Sequence, residues 1–209
     1  MMHSKKRLLP RRVAFLVFLG ILLPVALFAQ KTEFKLGVGG GVSGTVRYNN
    51  FFSDEPQIFG GEIGAHAFFD ANYFLLTADF WWGGFAPFTA DEAEIDEYGK
   101  YNMSTVTISG LLQYPMDYVG GRSVLLLGVG YQIYTGLSVS NDKTPVADLS
   151  ALPLGDFNSL WLKIGFGDHR SLTDLLYYRF DFFYNFRLAG EATVKSGPEA
   201  NIALGFWIK

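Results

Sequence analysis

The run Asp168-His169-Arg170-Ser171 sets an imidazole two residues from a hydroxyl, a spacing at which a base and a nucleophile share one face of a strand. The same four residues also have the composition of a polar reverse turn, and that is the reading adopted here. His66 has no nucleophile placed beside it by sequence and reads as a hydrogen-bonded histidine on an inward face. A second cluster, TADEAEIDEYGK, holds Asp91, Glu92, Glu94, Asp96 and Glu97 against the single Lys100. Clustered carboxylates suit Ca²⁺, but the D-x-[DN]-x-[DN]-G order of a calcium loop is missing, so an exposed acidic loop is expected. The absence of cysteine excludes thiolate–zinc sites and thiol chemistry. No catalytic residue, cofactor or metal is therefore expected.

The remaining ionisable residues are sorted rather than clustered. In YYRFDFFYNFR the odd positions are Tyr177, Arg179, Asp181, Phe183, Asn185 and Arg187, and the even positions 178–186 are all aromatic. On a helix Arg179 and Asp181 would project about 200° apart, whereas on a strand they share a face. Similar alternation recurs along the chain and predicts eight strands: 33–46, 58–70, 73–82, 103–114, 122–134, 158–167, 177–187 and 200–209. The strand at 122–134 is the hardest to orient because Val124 to Leu127 are all apolar; Leu125, Leu127, Val129, Tyr131 and Ile133 make the better outward set. The minor, polar face carries Lys35, Glu62, His66, Asp79, Lys163, Arg179, Asp181 and Arg187.

The chain opens with Lys5, Lys6, Arg7, Arg11 and Arg12, then the apolar run Val13–Phe28, then small Ala29. That order is a secretory signal peptide over residues 1–29, leaving 30–209 as one domain. The apolar run is shorter than the roughly 20 residues a spanning helix needs, and Pro24 interrupts it. Cleavage removes five of 17 Lys/Arg and no acid, leaving 12 against 20 Asp/Glu, a formal charge of −8. Such a balance argues against nucleic acid as a partner.

A soluble sandwich and a membrane barrel both fit alternating strands, and two features favour the barrel. Short connections (70–72, 115–121, 168–173) alternate with long ones (47–57, 83–102, 135–157, 188–199), which places all long loops at one end. Outward rings also gather at two levels. Phe69, Tyr73, Phe74, Tyr114, Tyr178 and Phe206 fall near a periplasmic rim. Phe80, Trp82, Tyr131, Tyr184 and Phe186 fall near an external rim. The expected fold is an all-β, eight-stranded antiparallel up-and-down transmembrane β-barrel with short periplasmic turns and longer external loops.

This organisation resembles the small eight-stranded outer-membrane proteins of bacteria, of the OmpX/OmpA type and the OmpW/OprG type. The local motif is the last strand, NIALGFWIK, whose Leu204, Phe206 and Ile208 alternate as such terminal strands do. Lys209 stands where the resemblance has an aromatic. The resemblance implies outer-membrane lipid, periplasmic chaperones and the barrel-assembly machinery as partners. It leaves several lumens open. In one, glycines at 37, 39, 41, 128, 130, 165, 167 and 205 make room for a narrow channel or pore for small, including hydrophobic, solutes. In another, charge pairs and large rings such as Phe68 and Phe183 close the barrel, and the external loops contact host or environment. Glu62, Asp79 and Asp181 are the acids then expected to pair with Lys35, Lys163 and Arg179. A remote third reading is a lipid-modifying barrel enzyme, because the His169–Ser171 spacing resembles that of lipid A deacylase barrels. The leader has its own test. Mass spectrometry of the protein from a membrane fraction is expected to find Gln30 at the N-terminus, and an intact residue 1–29 segment would contradict the reading.

Overall fold

The computed structural model describes residues 34–48, 57–88, 100–141, 144–148, 158–190 and 195–208. Nine strands follow one another: β1 (Lys35–Arg47), β2 (Gln57–Asp70), β3 (Phe74–Phe88), β4 (Lys100–Tyr118), β5 (Gly121–Asn141), β6 (Thr144–Asp148), β7 (Ser159–Ser171), β8 (Leu176–Ala189) and β9 (Ser196–Ile208). Antiparallel pairing runs β1-β2-β3-β4-β5-β7-β8-β9. The ring then closes through β1 and β9, from Leu36↔Ile208 to Thr45↔Glu199. Eight strands thus make a closed barrel with no free edge, while the short β6 only extends the far end of β5, with Ser138 opposite Asp148.

Face sorting follows the sequence. On the apolar run that sequence alone orients poorly, Leu125 and Leu127 are 52% and 48% exposed while Leu126 is 2% exposed. The outward set includes Val38, Ile63, Leu76, Ile108, Ile164 and Leu204, all exposed although apolar. Exposed apolar surface of this extent, continuous around a barrel, is the surface of a body solvated by lipid. The girdle residues Tyr73, Phe80, Trp82, Tyr114, Tyr131 and Phe206 are likewise exposed, and Phe69, Phe74, Tyr178, Tyr184 and Phe186 are partly so.

Strand lengths depart from the sequence pattern at one end of the barrel. Alternation fades after Trp82 and Tyr134, yet β3 runs on to Phe88 and β5 to Asn141. On β5 the cause is a bulge. Thr105 pairs with Tyr134 but Ser104 pairs with Gly136, so Thr135 is the extra residue and parity flips beyond it. Its hydroxyl donates to the Ser104 carbonyl oxygen at 3.0 Å.

The expected turn at 115–121 shrinks to Val119–Gly120, with Gly120 at φ 86° where a side chain would be strained. Pro115 is tolerated inside β4 because its nitrogen points past the end of β3. Gln113, of the same parity, already donates its N–H to the Tyr73 carbonyl just before that strand begins. At the β2–β3 turn Asn72 takes φ 64°, held by its N–H donating to Asp70 Oδ1 at 2.8 Å. The acidic residues Asp91, Glu92, Glu94, Asp96 and Glu97 and the leader 1–29 lie outside the described residues.

Outward and rim positions differ in what they tolerate. Ile108→Arg on the lipid face is expected to cost ~2–4 kcal/mol, and Tyr118→Arg at the rim under about 1 kcal/mol. Reversible urea unfolding in phospholipid vesicles reads both, and equal costs would contradict the band.

Candidate functional site

With the apolar faces outside, the lumen is where the sequence's charges meet. Its half nearest the short turns is an apolar and aromatic wedge. Phe68, Leu75, Leu111, Val124, Leu126, Tyr177 and Phe183 pack together, with Trp207 against them. Phe68 meets Tyr177 edge-on at 5.1 Å between ring centroids, and Trp207 lies 5.0 Å from Tyr177. Several inward glycines make room for rings. A methyl added at Gly37 would come 2.6–2.9 Å from atoms of the Phe68 and Tyr177 rings, too close for real contact. Glycines at 60, 64 and 165 are likewise occupied by Phe85, Trp81 and Phe183. Glycine here seats rings.

Above the wedge lies a first polar cluster. Arg179 Nε donates to Asp181 Oδ2 in a close ion pair, both residues being buried. His169 Nε2 lies 2.9 Å from the other oxygen of Asp181. His66 shares a 2.5 Å hydrogen bond with the Tyr177 hydroxyl, and its Nδ1 stands 3.9 Å from Asp79 Oδ1. Asp79 accepts from the Thr77 hydroxyl at 2.8 Å. A cavity of about 20 Å³ between these groups has room for about one water.

A second cluster centres on Glu199. Lys163 Nζ donates to its Oε1 at 3.2 Å, and Asn185 and Asn201 each donate to it at 2.8 Å. Arg47 approaches to 3.6 Å. The two cations also lie over rings, Lys163 over Phe183 at 4.5 Å and Arg47 over Trp161 at 4.9 Å. A cavity of about 10 Å³ adjoins this cluster.

The predicted lumen set is therefore partly assembled. Arg179 and Asp181 pair as expected. Lys163 does not pair with Glu62 or Asp79; its acid is Glu199, which the sequence reading left in a loop. Lys35, the first residue of β1, is exposed at the short-turn mouth beside Trp207 rather than part of a network. Glu62 and Arg187 line the wall toward the other end, and neither forms an ion pair among the described residues. Glu62 still lies in the electrostatic neighbourhood of Arg47, Lys163 and Glu199. His169 is also corrected, because β7 continues through Ser171 and turns the imidazole inward onto Asp181. Ser171 is exposed at the strand end and lines the same vestibule as His169, whose side-chain hydrogen bond goes to Asp181.

The sequence reading missed Glu199, Arg47 and the partners of Tyr177. Parity signalled Glu199 and Arg47, since each continues the inward series of its strand past the end of its clear alternation, but it does not signal which residues meet Tyr177.

No family profile matches the chain, and no curated protein does. Among solved structures, Neisserial surface protein A (NspA) is similar at 12% identity and TM-score 0.49, over 86% of this chain and 99% of that one. Ail, the attachment invasion locus protein of Yersinia pestis, is similar at 12% identity and TM-score 0.41, over 84% and 99%. The N-terminal β-barrel domain of Pseudomonas aeruginosa OprF is similar at 11% identity and TM-score 0.40, over 85% and 100%. The likeness is one of fold.

Removing one member of a buried pair leaves the other uncompensated. Arg179→Met is expected to destabilise the barrel by ~3–5 kcal/mol, and Arg179→Met with Asp181→Leu by distinctly less. Urea unfolding in vesicles separates the two, and equal losses would show that Asp181 is not held by Arg179.

Proposed function

We propose that the protein is a non-enzymatic outer-membrane barrel with a lumen closed in its resting state, working through its external loops as a structural or adhesive surface. The observation that carries this reading is the filled interior. Between a ring wedge at one level and two hydrogen-bonded charge clusters above it, the mid-lumen cavities are only about 20 and 10 Å³. Passing even a small solute would require several of these groups to move together. The open-channel reading of the glycines is less well supported, because Gly37, Gly39, Gly165 and Gly205 are occupied by aromatic side chains, while Gly41 and Gly128 abut neighbouring backbone and Gly130 abuts polar side chains.

The exposed apolar faces of all eight barrel strands fit outer-membrane lipid. The outward alternation of Ile202, Leu204, Phe206 and Ile208 on β9 fits a terminal strand presented to an assembly machinery and its periplasmic chaperones. The long connections, with the acidic stretch 91–97 among them, then face the environment or a host. Planar-bilayer recording with the refolded full chain tests the closed state. Silence under moderate voltage is expected, with heat-modifiable gel migration showing that the barrel is folded. Frequent unitary currents from the folded barrel would overturn the reading.

A further inference from the structure

Tyr177 differs from the other fillers of the wedge in where it stands and in how it is held. The residue is 2% exposed, and its two contacts Trp207 and His66 each line a different cavity. On the periplasmic side is a vestibule of about 260 Å³, whose wall includes Trp207, in ring contact with Tyr177. On the other side is the 20 Å³ cavity, whose wall includes His66, hydrogen-bonded to the Tyr177 hydroxyl. The strand behind the ring is stripped of side chains. A Cβ at Gly39 would lie 2.8 Å from the hydroxyl, and one at Gly37 would lie 2.9 Å from the ring. Gly205 of the neighbouring strand is closed to a side chain by the same ring.

Tyr177 is also the second residue of β8, directly after the 172–175 turn, and the vestibule beside it is large enough to receive a phenol ring. Were the ring to swing there, it would leave a glycine-floored groove joining the vestibule to the charged mid-lumen. A phenylalanine would fill the seat equally well. What the hydroxyl adds is a tether to His66 on the opposite wall.

We propose that Tyr177 is a movable plug, seated on Gly37, Gly39 and Gly205 and latched by His66, whose release opens the polar mid-lumen to water and small ions from the periplasmic side. This rests on the closed-lumen reading and adds a built-in way of opening. Gating by this ring differs from filling in one respect. Loss of the hydroxyl alone frees a plug but leaves a filler in place.

The chain has no cysteine, so a single thiol at Ser109, buried on the mid-lumen cavity, reports access cleanly. Ser109→Cys in the full-length barrel, reconstituted in phosphatidylcholine vesicles, is treated with 2-aminoethyl methanethiosulfonate, and labelling is followed by mass. Heat-modifiable migration confirms folding of every variant. The parent is expected to label slowly. Adding Tyr177→Phe is expected to speed labelling about fivefold, the scale of one lost hydrogen bond. Gly37→Ala, which crowds the seat, and Tyr177→Ala, which empties it, are expected to speed labelling as well. Unchanged labelling in the Tyr177→Phe variant, alongside fast labelling in Tyr177→Ala, would overturn the latch and leave Tyr177 a filler. Immediate labelling of the parent would instead overturn the closed lumen itself.

Discussion

A strand that closes into a ring of eight gives each side chain one of two places, outer face or lumen, and the choice alternates along each strand except across a bulge. Everything else in this protein follows from that division. The outer place accepts only apolar groups and rings. The inner place is only as wide as the side chains that fill it, so charge sent inward is largely cut off from water and is favoured where partners meet it. Glu199 meets the demand with Lys163, Arg47, Asn185 and Asn201, and Asp181 meets it with Arg179 and His169. These clusters are better understood as the condition for placing charges inside a barrel than as a net source of stability, since an apolar filling can be as stable.

Volume imposes the matching demand on the periplasmic half. Eight strands leave too little space for Phe68, Tyr177 and Trp207 to face ordinary side chains, and glycines on β1 and β9 give way to them. Large and small residues thus alternate around the wall at one level, which closes the lumen without charge. Filling of the described lumen is divided between rings at the short-turn end and ion pairs beyond them.

The division between faces was legible in the sequence because it depends only on neighbours two apart. Arg179 and Asp181 betray their shared face in five residues of text. Even the Val124–Leu127 run yielded its orientation from the glycines and Gln132 that follow it. Partnership was not legible. His66 and Tyr177 are 111 residues apart and meet only because of the barrel's stagger, which no local pattern encodes. Glu199 escaped because it follows Gly197 and Pro198, a pair that reads as loop, although both lie within β9. Above Thr135 the bulge reverses parity, so the sequence signal ended while the strand went on.

Mutual pairing of buried charges in the lumen is read out by a double-mutant cycle between Lys163 and Glu199. Unfolding free energies in vesicles would be compared for the parent, Lys163→Met, Glu199→Gln and the double variant. A coupling of about 1–3 kcal/mol is expected. Additive losses, with no coupling, would mean that the two groups are hydrated independently, and the sealed lumen would be contradicted.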